Sequence, residues 1–340
     1  MPSNDKKIKK IQSDKKKEEI IKKEPTKKDL IELGNQIANY RKKPLLVMYY
    51  CDDAGQIIPY DVKHIYSKHL KPNIKESLEE LDILLHTMGG HPNSAYLLIQ
   101  TIRKFAKKIN LLIPNHSYSA GTLMALGCDN LIMGIYASLS PIDVQIFGGR
   151  FPLLSIQKYV EFVRYVRDSL IACGDPHCKV HNPNSTAYEN LSKDLLLELA
   201  KEFDPSDIGQ LFNLRKLSEY YGKILLNDYM LRNQEKRKEI VERIINRLNS
   251  DHPAHNFDID FEIASGLGLT TELMDSKLFE MTDMFIYLCD FCKKQGDICE
   301  YVPRDKLEDK ESDYRVPYFR LILPNGKKEE VDKNDKKGEK

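Results

Sequence analysis

The order of apolar and polar positions predicts alternating strands and helices between residues 45 and 135. Short continuous apolar runs predict buried strands, and apolar residues at helical spacing predict the helices between them. Continuous apolar strands separated by helices are typical of a parallel sheet covered on both faces, so we predict an α/β fold. The predicted strands are Leu45–Tyr50, Leu81–His86, Leu111–Ile113 and Leu131–Ile135, and the clearest helix is Ser94–Lys108.

The pattern outside this core predicts a mainly helical second half between two charged tails. Residues 1–28 hold eleven lysines and almost nothing to bury, which is typical of a disordered segment. Later helices are predicted at Ser155–Arg167, Tyr188–Glu202, Asp207–Leu231, Glu235–Leu248 and Thr271–Lys294. The predicted organisation is a lysine-rich tail (1–28), a core domain (29–275), a C-terminal extension of one helix and a hairpin (276–330), and a charged tail (331–340).

Charge and hydropathy argue against nucleic-acid binding and against membrane insertion or secretion. The chain has 52 basic and 51 acidic side chains and a net charge of +1, so no overall field favours nucleic acid. The sequence has no apolar run long enough for a transmembrane helix, and its lysine-rich start has no apolar core typical of a secretory signal. We therefore expect a cytoplasmic protein.

The seven cysteines are interpreted as reduced thiols, since their number is odd and no secretory signal precedes them. Two groups invite a metal interpretation, one at Cys173, His177, Cys178 and His181 and one at Cys289, Cys292 and Cys299. Neither has two Cys-x-x-Cys pairs at zinc-ribbon spacing, so structural cysteines are favoured. We expect no metal and no cofactor.

Ser119 is the first candidate for chemistry. It follows the Leu111–Ile113 strand and precedes a run of small residues that opens a helix. At such a turn the first N–H groups of the helix stabilise negative charge, which is what a nucleophilic serine requires. Serine is also a favoured N-cap, so a capping role remains the alternative.

A glycine pair, Gly89 and Gly90, follows the strand Leu81–His86 and precedes a helix. Such a turn can direct two backbone N–H groups towards one point, as in the oxyanion holes of acyl-transfer enzymes. Because the carboxyl ends of parallel strands share one edge of the sheet, the glycine pair and Ser119 are expected to lie together. This arrangement favours an enzyme.

Three motifs carry a resemblance to a known family. They are His86-Thr-Met-Gly-Gly, Ser119-Ala-Gly-Thr-Leu-Met-Ala-Leu and Ser140-Pro-Ile-Asp-Val-Gln. Their order and spacing resemble the serine dehydrogenase proteinase family, which is related to signal peptide peptidase A and to Clp-type proteases. The resemblance extends over roughly residues 45–275 and includes a closing segment around His255. It implies the ClpP/crotonase-like fold, a parallel sheet with helices on both faces, here with a helical C-terminal extension. It also implies a peptide substrate and a homo-oligomer.

The general base is less clearly indicated. At the position where the resemblance to Clp-type proteases implies a histidine, the chain has Asp143, Val144 and Gln145. The resemblance to signal peptide peptidases implies a lysine, and Lys158 lies at a suitable distance after Ser119. A buried lysine loses part of its preference for charge and can act as a base. His116 and His255 are the other candidates, and Met88 departs from the proline usual in the family's glycine motif.

The sequence therefore predicts a serine peptidase or a related amide or ester hydrolase. Ser119 is the predicted nucleophile, Lys158 or His116 the predicted base, and Gly89–Gly90 the predicted oxyanion hole. Two alternatives remain open: a catalytically silent scaffold, and a crotonase-like acyl-CoA enzyme that would not need Ser119.

Overall fold

A six-stranded, mostly parallel sheet forms the centre of the fold. The computed structural model describes residues 24–52, 55–142, 145–148, 151–155, 205–250, 257–299, 301–302, 314–315 and 317–324. Its strands are β1 (Leu45–Tyr49), β2 (Leu78–His86), β3 (Ala106–Ile113), β4 (His116–Ser117), β5 (Asn130–Met133), β6 (Ser138–Leu139), β7 (Gln145–Gly148), β8 (Phe151–Ser155), β9 (Thr271–Leu273), β10 (Tyr301–Val302), β11 (Tyr314–Arg315) and β12 (Tyr318–Ile322). Its α-helices of six or more residues are α1 (Lys27–Arg41), α2 (Pro59–His64), α3 (Pro92–Arg103), α4 (Ala120–Leu126), α5 (Pro205–Leu225), α6 (Arg237–Ser250), α7 (Phe261–Leu267) and α8 (Ser276–Gln295), and π-helical turns lie at Ile65–Leu70 and Leu226–Met230.

The strands of the central sheet follow the order β12-β1-β2-β3-β5-β9. Strands β1, β2, β3, β5 and β9 are parallel to their neighbours, and β12 is antiparallel to β1 at the edge. Because β1, β2 and β3 are adjacent and parallel, their carboxyl ends meet at one edge of the sheet. The predicted α/β fold with a parallel-sheet core is confirmed.

Both faces of the sheet are buried, as continuous apolar strands require. The alternate residues Leu45, Val47 and Tyr49 of β1 belong to one apolar cluster with side chains of α1 and α8. The intervening Leu46 and Met48 are fully buried on the opposite face. The core thus holds the strand ends rigidly, and the loops beyond them start from fixed positions.

Three predicted segments differ from the structure by several residues or in their pairing. The helix predicted to end at Lys108 ends at Arg103, because Lys107 and Lys108 lie in β3 and their ammonium groups pair with Glu79 and Glu80 of β2. The helix predicted from Thr271 begins at Ser276, since the preceding residues form edge strand β9. In the predicted C-terminal hairpin, residues Tyr318–Ile322 form β12, which pairs with β1 in the central sheet, and the separate antiparallel pair of this segment is β10 with β11. Cross-strand pairing explains all three differences.

The described chain forms two compact units. The first comprises residues 1–139 and 258–340 and contains the central sheet, so α8 and β12 belong to the core and are not an extension of it. The second comprises residues 140–257, in which β7 and β8 form an antiparallel pair and α5 and α6 pack on each other. The predicted helix Ser155–Arg167 lies outside the described residues except for Ser155, which ends β8, and the predicted helix Tyr188–Glu202 lies wholly outside them.

Candidate active site

Ser119 and the glycine turn lie opposite each other at the carboxyl edge of the sheet. Beyond the end of β2, Thr87 pairs in parallel with Ser117, and this register places Gly89 beside Ser119. A Cβ atom built on Gly89 would lie 2.9 Å from Cβ of Ser119. The structure therefore brings together the two motifs that the sequence placed thirty residues apart.

Ser119 occupies the N-cap position of α4 but does not act as a cap. Its side chain makes no capping hydrogen bond, and its backbone lies at φ +49° and ψ −109°. A positive φ is uncommon for a residue with a side chain, and such strain occurs preferentially at functional sites. The hydroxyl belongs to a residue that is neither fully buried nor fully exposed. The capping alternative is thus not what this geometry supports.

The glycine turn directs its backbone groups in two different ways. The Gly89 N–H donates to Thr87 Oγ1 at 3.0 Å, so a side chain of the same turn accepts from it. The Gly89 carbonyl accepts from Ile57 N–H, and His91 N–H donates to the Ile57 carbonyl. These two hydrogen bonds form a parallel bridge between Gly90 and Ile57. In such a bridge the N–H of Gly90 itself points away from the segment that contains Ile57. A Cβ atom on Gly90 would overlap the backbone of Ile57, so only glycine fits.

Three polar side chains converge beside this turn. His86 ends β2, His116 begins β4, and Asp52 follows β1. Oδ1 of Asp52 accepts hydrogen bonds from Nε2 of His86 at 3.0 Å and from Nε2 of His116 at 3.1 Å. The side chain of Asp52 is 54% exposed, whereas those of His86 and His116 are 2% and 12% exposed. We refer to these three residues as the Asp–His–His cluster.

The electrostatics of the cluster favour an ionised carboxylate beside a neutral buried ring. Partial burial of Asp52 opposes ionisation, but the hydrogen bonds from His116 and His86 outweigh it and hold the carboxyl pKa well below its usual range. Burial lowers the pKa of His86, and the Asp52 hydrogen bond only partly offsets this effect. The neutral form of His86 is therefore the stable one in the folded protein.

His116, one of the predicted bases, has both ring nitrogens beside oxygen atoms. Its Nε2 contacts Asp52, and its Nδ1 lies 3.1 Å from Oδ1 of Asn115. Its ring also stacks on Tyr118, with ring centroids 4.9 Å apart. In this arrangement His116 is held by its neighbours and directs neither nitrogen to a third group.

Tyr118 forms a second hydrogen-bonded polar group with Ser138 and Asp258. The Tyr118 hydroxyl donates to Oδ1 of Asp258 at 2.6 Å, and the Ser138 hydroxyl donates to the same oxygen at 2.9 Å. Burial, and then the Asp258 carboxylate, raise the pKa of Tyr118, so its hydroxyl remains protonated. This group fixes Tyr118, the residue that immediately precedes Ser119.

Several predicted residues lie outside the part of the chain that the structure describes. They are Asp143, Lys158, His255 and the Cys173–His181 group. Cys289, Cys292 and Cys299 are buried thiols in the core of the first unit. Among the described residues, the Asp–His–His cluster is the one grouping of three potential ligands with metal-like spacing.

Sequence reasoning missed four residues of this site: Asp52, Tyr118, Ser138 and Asp258. Only Asp52 carries a usable signal, since it follows a buried strand at the edge where parallel sheets place their ligands. Ser138 and Asp258 join Tyr118 through contacts 20 and 140 residues apart in sequence, which no local pattern indicates.

One protein-family model matches part of the chain. Residues 69–202 match the model of the ClpP-like SDH-type serine proteinases. The match includes Gly89, Gly90 and Ser119, and it confirms the resemblance inferred from the three motifs.

Two uncharacterized proteins of Methanocaldococcus jannaschii are similar in sequence. MJ0137 is 35% identical over 81 residues, which are 24% of this chain and 28% of that protein. MJ1495 is 22% identical over 207 residues, which are 60% of this chain and 56% of that protein. The chain thus spans about a quarter and about half of the length of these two relatives.

Two solved structures are similar at low level. One is a mutant of the 1510-N membrane-bound stomatin-specific protease, with 19% identity, a TM-score of 0.26, and coverage of 33% of this chain and 57% of that one. The other is a different mutant of that protease in complex with a substrate peptide, with 15% identity, a TM-score of 0.26, and coverage of 68% of this chain and 94% of that one.

Within the described residues, no helix of this chain combines the length and the apolar character that crossing a membrane requires.

Proposed function

From its match to the ClpP-like SDH-type serine proteinases over residues 69–202, we propose that this chain is a serine peptidase whose nucleophile is Ser119. One observation carries the proposal: Ser119 has a strained backbone at the start of α4, does not cap the helix, and lies against Gly89 of the glycine turn. A serine held for capping would not need this strain. A nucleophilic role explains the strain, because the strained backbone presents the Ser119 hydroxyl at the edge of the sheet.

The Gly89–Gly90 turn is the proposed oxyanion hole. Gly90 is the better donor of the two, because the parallel bridge with Ile57 turns its N–H away from that segment, whereas Gly89 N–H donates to Thr87 Oγ1. The first N–H of α4, that of Ala120, lies beside Gly89 and is the natural second donor. Two such donors stabilise the charge on a tetrahedral intermediate and contribute about 3 kcal/mol each in known enzymes.

Lys158 is the proposed general base. The engagement of both His116 nitrogens with Asp52 and Asn115 supports a base other than His116. A lysine near Ser119 would accept the hydroxyl proton as the serine attacks the peptide carbonyl, and would return it to the leaving amine. Cleavage by such a dyad needs no cofactor.

We also propose that the enzyme is cytoplasmic and cleaves internal peptide bonds.

Active-site labelling tests the nucleophile directly. A fluorophosphonate probe is expected to label the full-length protein once per chain, with the label on Ser119 in peptide mapping. Ser119→Ala should abolish labelling and lower peptide or ester hydrolysis by several orders of magnitude with an unchanged circular-dichroism spectrum. Ser265→Ala, which changes an exposed serine of α7, is the matched control. Absence of wild-type labelling would support the catalytically silent scaffold.

A pair of substitutions tests the base. Lys158→Ala and Lys158→Arg are both expected to abolish hydrolysis, because a guanidinium group stays protonated and cannot accept the serine proton. Lys216→Arg, at an exposed position of α5, is the control and should be fully active. If Lys158→Arg keeps the wild-type rate, the base is another residue, and His116 and His255 become the candidates.

A further inference from the structure

The Asp–His–His cluster takes no part in the proposed peptide hydrolysis, yet its three donor groups are closely convergent. One oxygen of Asp52 and one nitrogen each of His86 and His116 lie within 4.8 Å of one another. Asp52 lies just beyond β1, His86 ends β2 and His116 begins β4, so regular elements of the fold set their positions.

We infer that Asp52, His86 and His116 bind a divalent transition-metal ion of the zinc class. Two imidazoles and one carboxylate are a ligand set that such ions prefer. Bonds of about 2.0–2.2 Å in tetrahedral geometry separate ligand atoms by about 3.3–3.6 Å. The carboxylate oxygen lies 3.0 and 3.1 Å from the two nitrogens, a few tenths of an ångström below this separation, and all three ligand atoms lie within 4.8 Å of one another.

The surroundings of the two histidines support them unequally. The Nδ1 of His116 lies 3.1 Å from Asn115 Oδ1, which would hold the ring with Nε2 towards the ion. Tyr49 stacks on His86 with ring centroids 5.2 Å apart, but Nδ1 of His86 has no hydrogen-bond partner. Losing one such supporting partner typically costs about 10–100-fold in metal affinity, so we expect a site of moderate strength.

The position of the cluster suggests what the ion does. His86 precedes Gly89 by three residues, and His116 precedes Ser119 by three residues. Thr87 and Ser117 pair between these positions. A cation held by both histidines would therefore clamp the glycine turn to the Ser119 turn. The half-exposed Asp52 provides the entry path, and three protein ligands leave a position for water.

Cobalt titration of metal-free protein tests the site. Chelator-treated full-length protein is titrated with Co²⁺ and followed by visible absorption, and Zn²⁺ is then added in competition. We expect one Co²⁺ per chain, with the intense d–d bands of a tetrahedral ion, no thiolate charge-transfer band, and displacement by Zn²⁺. Zn²⁺ should also raise the melting temperature of the wild type.

Asp52→Asn is the main variant, because this side chain is 54% exposed and asparagine has nearly the same shape, so we expect the fold to be kept. It should weaken Co²⁺ binding at least tenfold and abolish the zinc-dependent rise in melting temperature, and His116→Ala should do the same. His91→Gln changes an exposed histidine outside the cluster and should bind as the wild type does. Ser119→Ala should also bind normally, so the metal site and the proposed peptidase activity are tested separately.

Two results would overturn the inference. One is wild-type protein that takes up no stoichiometric Co²⁺ at millimolar concentration, which leaves the cluster as hydrogen-bonded side chains alone. The other is binding that Asp52→Asn and His116→Ala leave unchanged, which would locate the ion elsewhere, for example at the Cys173–His181 group.

Discussion

At the scale of single residues, the candidate site depends on positions where a side chain does not fit. Gly89 has φ +119° and Gly90 has φ +146°, a region that residues with a side chain rarely adopt. Both also lie close to other residues, Gly89 to Cβ of Ser119 and Gly90 to the backbone of Ile57. These two glycines allow the turn after β2 to lie directly against the proposed nucleophile.

Gly89→Ala is expected to reduce activity far more than it reduces stability. The new Cβ would lie 2.9 Å from Cβ of Ser119 and push that residue out of place, while the positive φ adds about 1–3 kcal/mol of strain. We expect a fall of about 100-fold or more in the rate of fluorophosphonate labelling. Urea unfolding measures the stability separately.

Gly266→Ala is the matched control for this substitution. Nothing lies within 4 Å of the Cβ it would add, and the residue is exposed on α7. Alanine is a better helix former, so stability should be equal or slightly higher and labelling unchanged. Equal labelling rates in both variants would show that close contact at Gly89 does not position Ser119.

At the scale of secondary-structure elements, one buried ion pair joins the helices around the site. Arg103, near the end of α3, donates to the Gly127 carbonyl after α4 and to Oδ2 of Asp129 at 2.6 Å. The same carboxylate oxygen accepts from Ile109 N–H of β3. The arginine thus supports the last turn of the helix that Ser119 begins.

Arg103→Ala is expected to destabilise the first unit by about 3–5 kcal/mol, because it leaves the buried Asp129 without its cation. The two side chains are only 4% and 10% exposed. The control is Lys107→Ala, which removes an ion pair whose members are 62% and 80% exposed and which should cost at most about 1 kcal/mol. Equal shifts in urea midpoint for the two variants would contradict this account.

The turn after α2 makes stability depend on pH. Residues 65–70 form a π-helical turn, and His69 packs there against Phe319 of β12. Burial, and then the nearby His64, Arg320 and Lys68, lower the pKa of His69 to about 4. The unfolded chain takes up this proton near pH 6.5 and the folded protein only near pH 4.

Acidification from pH 6.5 to about 4 is therefore expected to destabilise the protein, by up to about 3 kcal/mol from His69. Above pH 6.5 this residue contributes no pH dependence. Urea unfolding of the wild type and of His69→Gln across this range isolates the effect, since other groups titrate equally in both. Parallel stability curves for the two proteins would exclude His69 as the cause.

At the scale of the whole molecule, the open question is assembly. The prediction of a homo-oligomer rests on the family resemblance and on the apolar residues of the helices in the second unit. Some of these residues are buried, as are Leu225, Ile244 and Ile245. Others are not, since Phe212 is 45% exposed and Tyr220 is 62% exposed on α5.

We expect light scattering at micromolar concentration to give a whole-number multiple of the 39.4 kDa chain mass. Closed symmetric association is the usual solution for identical subunits, and exposed apolar area is what such an interface buries. Tyr220→Asp should lower the mass to that of smaller assemblies. Tyr60→Asp, at a similarly exposed tyrosine of α2, should leave it unchanged. A mass of one chain that is stable on concentrating would refute the oligomer.

The sequence by itself determined the parallel-sheet core and the two turns of the candidate site. The strands at Leu45, Leu81, Leu111 and Leu131 were predictable because both faces of a parallel sheet are buried. Each such strand is therefore a run of consecutive apolar residues. Gly89, Gly90 and Ser119 were predictable because each lies where a strand ends and a helix begins. These signals are local, so they need no knowledge of the fold.

Only the tertiary structure decided which distant residues meet. Strand β3 begins before the predicted residue because Lys107 and Lys108 pair with glutamates of β2. Strand β12 joins the sheet by pairing antiparallel with β1. Asp52, His86 and His116 converge only when the strands that carry them lie side by side. Pairing between strands depends on neighbours far away in sequence, and it is this pairing that assembles the Asp–His–His cluster beside the turn of Ser119.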